Sequence, residues 1–93
     1  MLNEKEISDK LTQLSDVSIM YSKSSNMFYA DLKAIEIKKG CMLHSISYHC
    51  KTPLEALQTT FTALMFANLI VKNAYGKDRE EFKWSGDHFQ KIV

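Results

Sequence analysis

The chain has 93 residues, 45% of them hydrophobic and 25% charged, with a formal net charge of +1. That size and balance fit one globular domain able to bury a core without cross-links, and they exclude a disordered segment or a membrane-spanning bundle. A charge so close to zero exerts no general pull on nucleic acid or anionic lipid, so binding of that kind would need a local patch.

In chain order, Met1-Leu2-Asn3-Glu4-Lys5-Glu6 is polar and acidic, unlike a signal sequence, and a cytoplasmic location is the expectation. Residues 4–14 read as a short amphipathic helix. Asn3 and Glu6 are spaced as a capping box, Leu2 and Ile7 as a hydrophobic staple, and Ile7, Leu11 and Leu14 line one side. Residues 17–21 alternate as a first strand, with Val17, Ile19 and Tyr21 on one face, and 22–26 form a turn. Residues 27–38 read as a second strand in which the apolar parity slips: Phe28, Ala30 and Leu32 share a face, then Ile35 and Ile37 take the opposite one. A β-bulge at Lys33-Ala34 would restore the core face. After the turn at Lys38-Lys39-Gly40, residues 41–50 read as a third strand with Met42, His44, Ile46 and Tyr48 on its more apolar side.

Residues 52–75 read as one long helix. Thr52 is a suitable N-cap, Pro53 has no N–H to leave unpaired, Glu55 can reach back to the cap, and Gly76 closes the far end. Leu54, Leu57, Phe61, Leu64, Val71 and Tyr75 fall on one stripe, interrupted by Asn68. From residue 63 a second apolar face adds Ala63, Phe66, Ile70 and Ala74, more than one small sheet needs. The run 63–71 is still far shorter than the roughly 20 residues of a bilayer span, so no membrane association is expected. After the charged residues 77–81 come Phe82, Trp84, Phe89 and Ile92, with a turn signal at Ser85-Gly86-Asp87.

The expected fold is α+β in αβββα order: a three-stranded antiparallel meander with two helices on one face and an aromatic C-terminal tail. Residues 1–76 would form the domain and 77–93 the tail, with the makings of a short hairpin.

Chemistry-bearing residues give little purchase. Cys41, His44, His49 and Cys50 would lie on one extended strand, where same-face pairs stand roughly 20 to 27 Å apart. Zinc requires four ligands converging at about 2.0 to 2.3 Å, so no metal is expected, and two buried thiols with surface imidazoles is the plainer reading. The two cysteines, roughly 30 Å apart, would not pair. The chain has no nucleophile-elbow, P-loop or dinucleotide-binding glycine pattern, and neither an enzyme nor a cofactor is expected.

The surplus apolar face points to a non-catalytic protein-binding module, homodimeric through the later half of the long helix and the tail, with Phe66, Ile70, Trp84 and Phe89 as partner-binding anchors. The alternative is a nucleic-acid-binding module using Lys33, Lys38, Lys39 and Lys51, lysines whose ordinary meaning is edge protection and solubility.

The helix, three strands, helix order resembles double-stranded-RNA-binding domains. Where that family has a lysine-rich helix start, this chain has Lys51-Thr52-Pro53-Leu54-Glu55, and in place of its Gly-Pro-x-His loop it has Ser22-Lys23-Ser24-Ser25-Asn26. Phe28-Tyr29-Ala30, Gly40, Cys50 and Thr52-Pro53-Leu54-Glu55-Ala56-Leu57 resemble the sheet-then-helix core of HicB-type antitoxins over about residues 27–70. In overall style the chain is similar to small bacteriophage-encoded accessory proteins. That resemblance implies an inhibitor of host defence, such as a CRISPR effector, acting by protein–protein contact; the HicB likeness implies an antitoxin-like regulator.

Overall fold

A computed structural model describes residues 2–92. The described residues form α1 (Glu4–Thr12), β1 (Val17–Ser22), β2 (Met27–Leu32), β3 (Ile35–Lys39), β4 (Met42–Ser45), α2 (Pro53–Met65), β5 (Leu69–Lys72), β6 (Glu80–Trp84) and β7 (Phe89–Ile92). The class is α+β with antiparallel sheets, but the arrangement differs from a three-stranded meander. β1 and β2 form a two-stranded hairpin, and the other strands form a second sheet in the order β4-β3-β5-β6-β7.

The start of α1 is the capping box its sequence requires, whereas α2 has the Thr52 cap without the return bond expected from the Glu55 carboxylate. The Asn3 side chain accepts the Glu6 N–H at 2.8 Å while the Glu6 carboxylate accepts the Asn3 N–H at 3.2 Å. Thr52 Oγ1 accepts the Glu55 N–H at 3.1 Å, with Pro53 opening α2. Ile7 and Leu11 of α1, and Leu14 just beyond it, enter the core with Leu57, Phe61 and Leu64 of α2. α2 packs mainly on β2, and α1 lies along α2.

The helix expected over 52–75 ends at Met65. Residues 69–72 are β5, which lies between β3 and β6 in the middle of the larger sheet. Ile70 and Val71 point to opposite faces and both are fully buried. A strand covered on both sides is as continuously apolar as a buried helix, so periodicity alone does not separate the two. Of the surplus apolar face, Ile70 is the second side of that strand, while Ala63 lies in α2 and Phe66 at its C-cap.

The parity slip at Lys33-Ala34 is real, since Ala30, Leu32, Ile35 and Ile37 are all buried, but no bulge produces it. β2 ends at Leu32, Ala34 takes φ +61°, and β3 begins at Ile35 in the other sheet. The third strand is also shorter than expected. It leaves the sheet after Ser45, Ile46 turns into the core, and Cys50 meets Phe28 in a lone antiparallel bridge.

Residues 80–92 are part of the sheet rather than an appended tail, with β6 paired to β5 and β7 to β6. Ile37, Ile70 and Phe82 stand side by side across β3, β5 and β6 and carry the core from one sheet edge toward the other. Among the described residues no helix is long and apolar enough to cross a membrane.

Candidate functional site: an apolar groove

An open groove of about 940 Å³ lies between α1, the outer side of α2 and the turn joining β6 to β7. Leu2, Ile7 and Lys10 line one wall, Phe61, Thr62 and Met65 the other, and Tyr48, Trp84, Gly86 and Asp87 close its ends. Its surface is largely hydrocarbon and aromatic. The volume is of the order found in binding sites, roughly 300 to 1,000 Å³.

An aromatic cluster fixes one side of the groove. Trp84 meets Phe61 edge-on with centroids 5.3 Å apart and Phe89 at 4.9 Å, while Phe61 and Phe89 are 6.0 Å apart. Such edge-to-face contacts set ring orientation beyond what burial alone would do. Lys10 Nζ stands 5.8 Å from the Trp84 ring centroid and donates to the Asp87 carbonyl. One turn further along, the Gln13 side-chain carbonyl accepts the Phe89 N–H at 3.4 Å. The first helix thereby holds the last hairpin, and Trp84 is held between them.

The hairpin turn itself is closed by the Ser85 N–H donating to the His88 carbonyl at 2.9 Å, with Gly86 at φ +112°. Ser85 Oγ lies 3.0 Å from both Asp87 Oδ1 and His88 Nδ1, and Asp87 Oδ1 lies 2.6 Å from the same His88 nitrogen. The Asp87 carboxyl is held below the ordinary aspartate range, first by its hydrogen bond with His88, then by that with Ser85 and by the His88 charge. Serine, histidine and aspartate are the residue types of a hydrolase, but a relay needs the acid on one ring nitrogen and the hydroxyl on the other. Here both address Nδ1, and the cluster ties the turn.

The anchors named from sequence do not form one surface. Ile70 is 0% and Phe89 5% exposed, so both belong to the chain's own core. Trp84 is half-buried in the groove wall, and Phe66, 79% exposed, caps α2 without lining the groove. The lysines are dispersed too. Lys33 lies in the link before β3, Lys38 and Lys39 at its other end, and Lys51 ahead of α2, all exposed. Among the described residues no group of three His, Cys, Asp or Glu side chains is placed to hold a metal ion. Cys41 is exposed, and Cys50 Sγ contacts Thr59 Oγ1 at 3.5 Å.

Leu2, Lys10 and Met65 belong to the groove yet were not among the sequence candidates. Lys10 sits on the charged side of α1 and carried no sign that its stem would lie beside a tryptophan. Comparison with protein-family models, with curated proteins and with solved structures finds no match for the chain.

Proposed function

We propose that this chain is a non-catalytic protein-binding module whose partner inserts an apolar segment into the groove between α1, α2 and the Ser85–His88 turn. The observation that carries the reading is the groove's composition: an open hydrocarbon and aromatic trough bordered by Lys10 and Thr62. Apolar anchors from a partner's helix or loop gain most of their binding energy in such a trough. The resemblance to bacteriophage accessory proteins favours a component of host defence as the partner. The dispersal of Lys33, Lys38, Lys39 and Lys51 weighs against the nucleic-acid reading, because phosphate binding draws on clustered charge.

The test is a quantitative capture from host extract with the wild-type chain and with Met65→Glu, which puts a charge in the groove wall at a half-buried position. The captured protein is then titrated while the emission of Trp84, the chain's single tryptophan, is followed. Wild type is expected to retain a protein and shift the emission, and Met65→Glu to bind it at least tenfold more weakly. Equal capture by both chains would reject the groove. Retention of nucleic acid alone, falling steeply as salt rises, would favour the alternative.

A further inference from the structure

We propose that β1 is a dimerisation edge, at which two copies of this chain pair antiparallel, β1 to β1, about a two-fold axis at Ile19. β2 lies on one side of β1, and among the described residues no strand lies on the other. The other strand edges are short or occupied. β4 and β7 have four residues each, β7 carries Lys91, and the far side of β2 is bonded to Cys50. β1 has six residues and no charged side chain, and it exposes Ile19, Met20 and Tyr21 at 39%, 42% and 49%. An edge of this kind lacks the lysine, proline or bulge that usually prevents pairing between chains.

Hydrogen-bond parity fixes the register. The Phe28 N–H donates to the Cys50 carbonyl at 2.8 Å and the Cys50 N–H to the Phe28 carbonyl at 2.7 Å, so the Phe28 backbone points away from β1. Tyr21 is directly opposite Phe28, so its own N–H and C=O point out of the sheet edge, as do those of Ile19 and Val17 by alternation. Antiparallel pairing centred on Ile19 sets Val17 against Tyr21 of the second copy, Ile19 against Ile19, and Tyr21 against Val17. Each pair then exchanges two N–H···O bonds. No outward group of the three is left over.

The charges that bracket the strand favour the antiparallel direction between two copies. Asp16 precedes the strand and Lys23 follows it, both exposed. In the antiparallel pair Asp16 lies opposite Ser22 of the second copy, one position from that copy's Lys23, so strand ends of opposite charge meet at both ends; within its own hairpin Asp16 lies across from Lys33, whose N–H donates to the Asp16 carbonyl at 3.4 Å. Parallel pairing would set like charges together. The result is a four-stranded sheet, β2-β1-β1-β2, continuous across the axis, with the groove of each copy left open on its own helices.

Sedimentation at low salt, between about 1 µM and about 1 mM, should reveal association to twice the 10.7 kDa chain mass. Asp16→Lys replaces attraction by repulsion at both ends and should weaken the dimer about tenfold, as should Lys23→Asp, while the double exchange restores it. A synthetic chain N-methylated at Ile19 removes a donor that β2 does not use, so it should fold with unchanged circular dichroism and remain monomeric. A wild-type chain that is monomeric at the highest concentration overturns the proposal. So does a dimer indifferent to the charge exchanges, or one that survives N-methylation. None of these readouts depends on the partner of the groove.

Discussion

Thr60 offers a direct measurement of what a stranded polar atom costs this core. It lies on the inward face of α2 among Leu57, Phe61 and Leu64, is 0% exposed, and its Oγ1 has no hydrogen-bond partner among the described residues. Thr60→Val keeps the shape and β-branching and exchanges the hydroxyl for a methyl. Leaving a buried hydroxyl unpaired costs about 1 to 3 kcal/mol, and helix propensities of the two residues are nearly equal. The substitution should therefore stabilise the fold by about 1 to 2 kcal/mol, raising Tm by about 4 to 8 °C for each kcal/mol at this chain length. Urea unfolding should give a higher midpoint at unchanged slope. Thr60→Ser, which keeps the hydroxyl and removes the methyl, should lose about 1 kcal/mol. If Thr60→Val is less stable than wild type, the hydroxyl has a partner, such as a carbonyl one turn earlier, and the reasoning fails.

Two further outcomes follow from the backbone and the turn. Ala34 is an exposed non-glycine residue at φ +61°, so Ala34→Gly should relieve left-handed strain and raise stability by about 0.5 to 1 kcal/mol, read by thermal unfolding; a loss would mean the link is not strained. Because the Asp87 carboxyl is held down in the folded state, its contribution to the turn is present above the unfolded aspartate value of about 3.9 and is lost as pH falls through the lower folded value. Carbon-detected NMR should give Asp87 a midpoint below that of a free aspartate, and His88→Ala, which removes the largest cause, should move it upward.

The Asn3 and Thr52 caps and the Pro53 start, where one residue answers to one backbone position, and the Ile7-Leu11-Leu14 stripe were read as the structure has them, but the return bond from Glu55 and the helix close at Gly76 were not. The parity change after Leu32 was also legible, but what causes it was not, since a bulge and a passage between two sheets flip the side chains alike. The larger error, extending α2 through residue 75, arose where a strand buried on both faces imitates a buried helix. Two asparagines bracket that strand: Asn68 sits in the bend before β5 and Asn73, at φ +54°, follows it. As residues suited to turns they mark both ends of β5 more reliably than the apolar run between them marks a helix. The groove was not legible because its walls come from positions as distant as Leu2 and Asp87, which no local periodicity links.

The bonds from Lys10 to Asp87 and from Phe89 to Gln13 join positions 77 and 76 residues apart. Such bonds behave as a clasp: neither extremity is secure until the other is in place. Fraying should consequently not be independent at the two ends, and amide exchange in α1 and β7 is expected to quicken together when either is weakened. A partner seated in the groove touches both halves of the clasp, so its arrival should tighten the two extremities together.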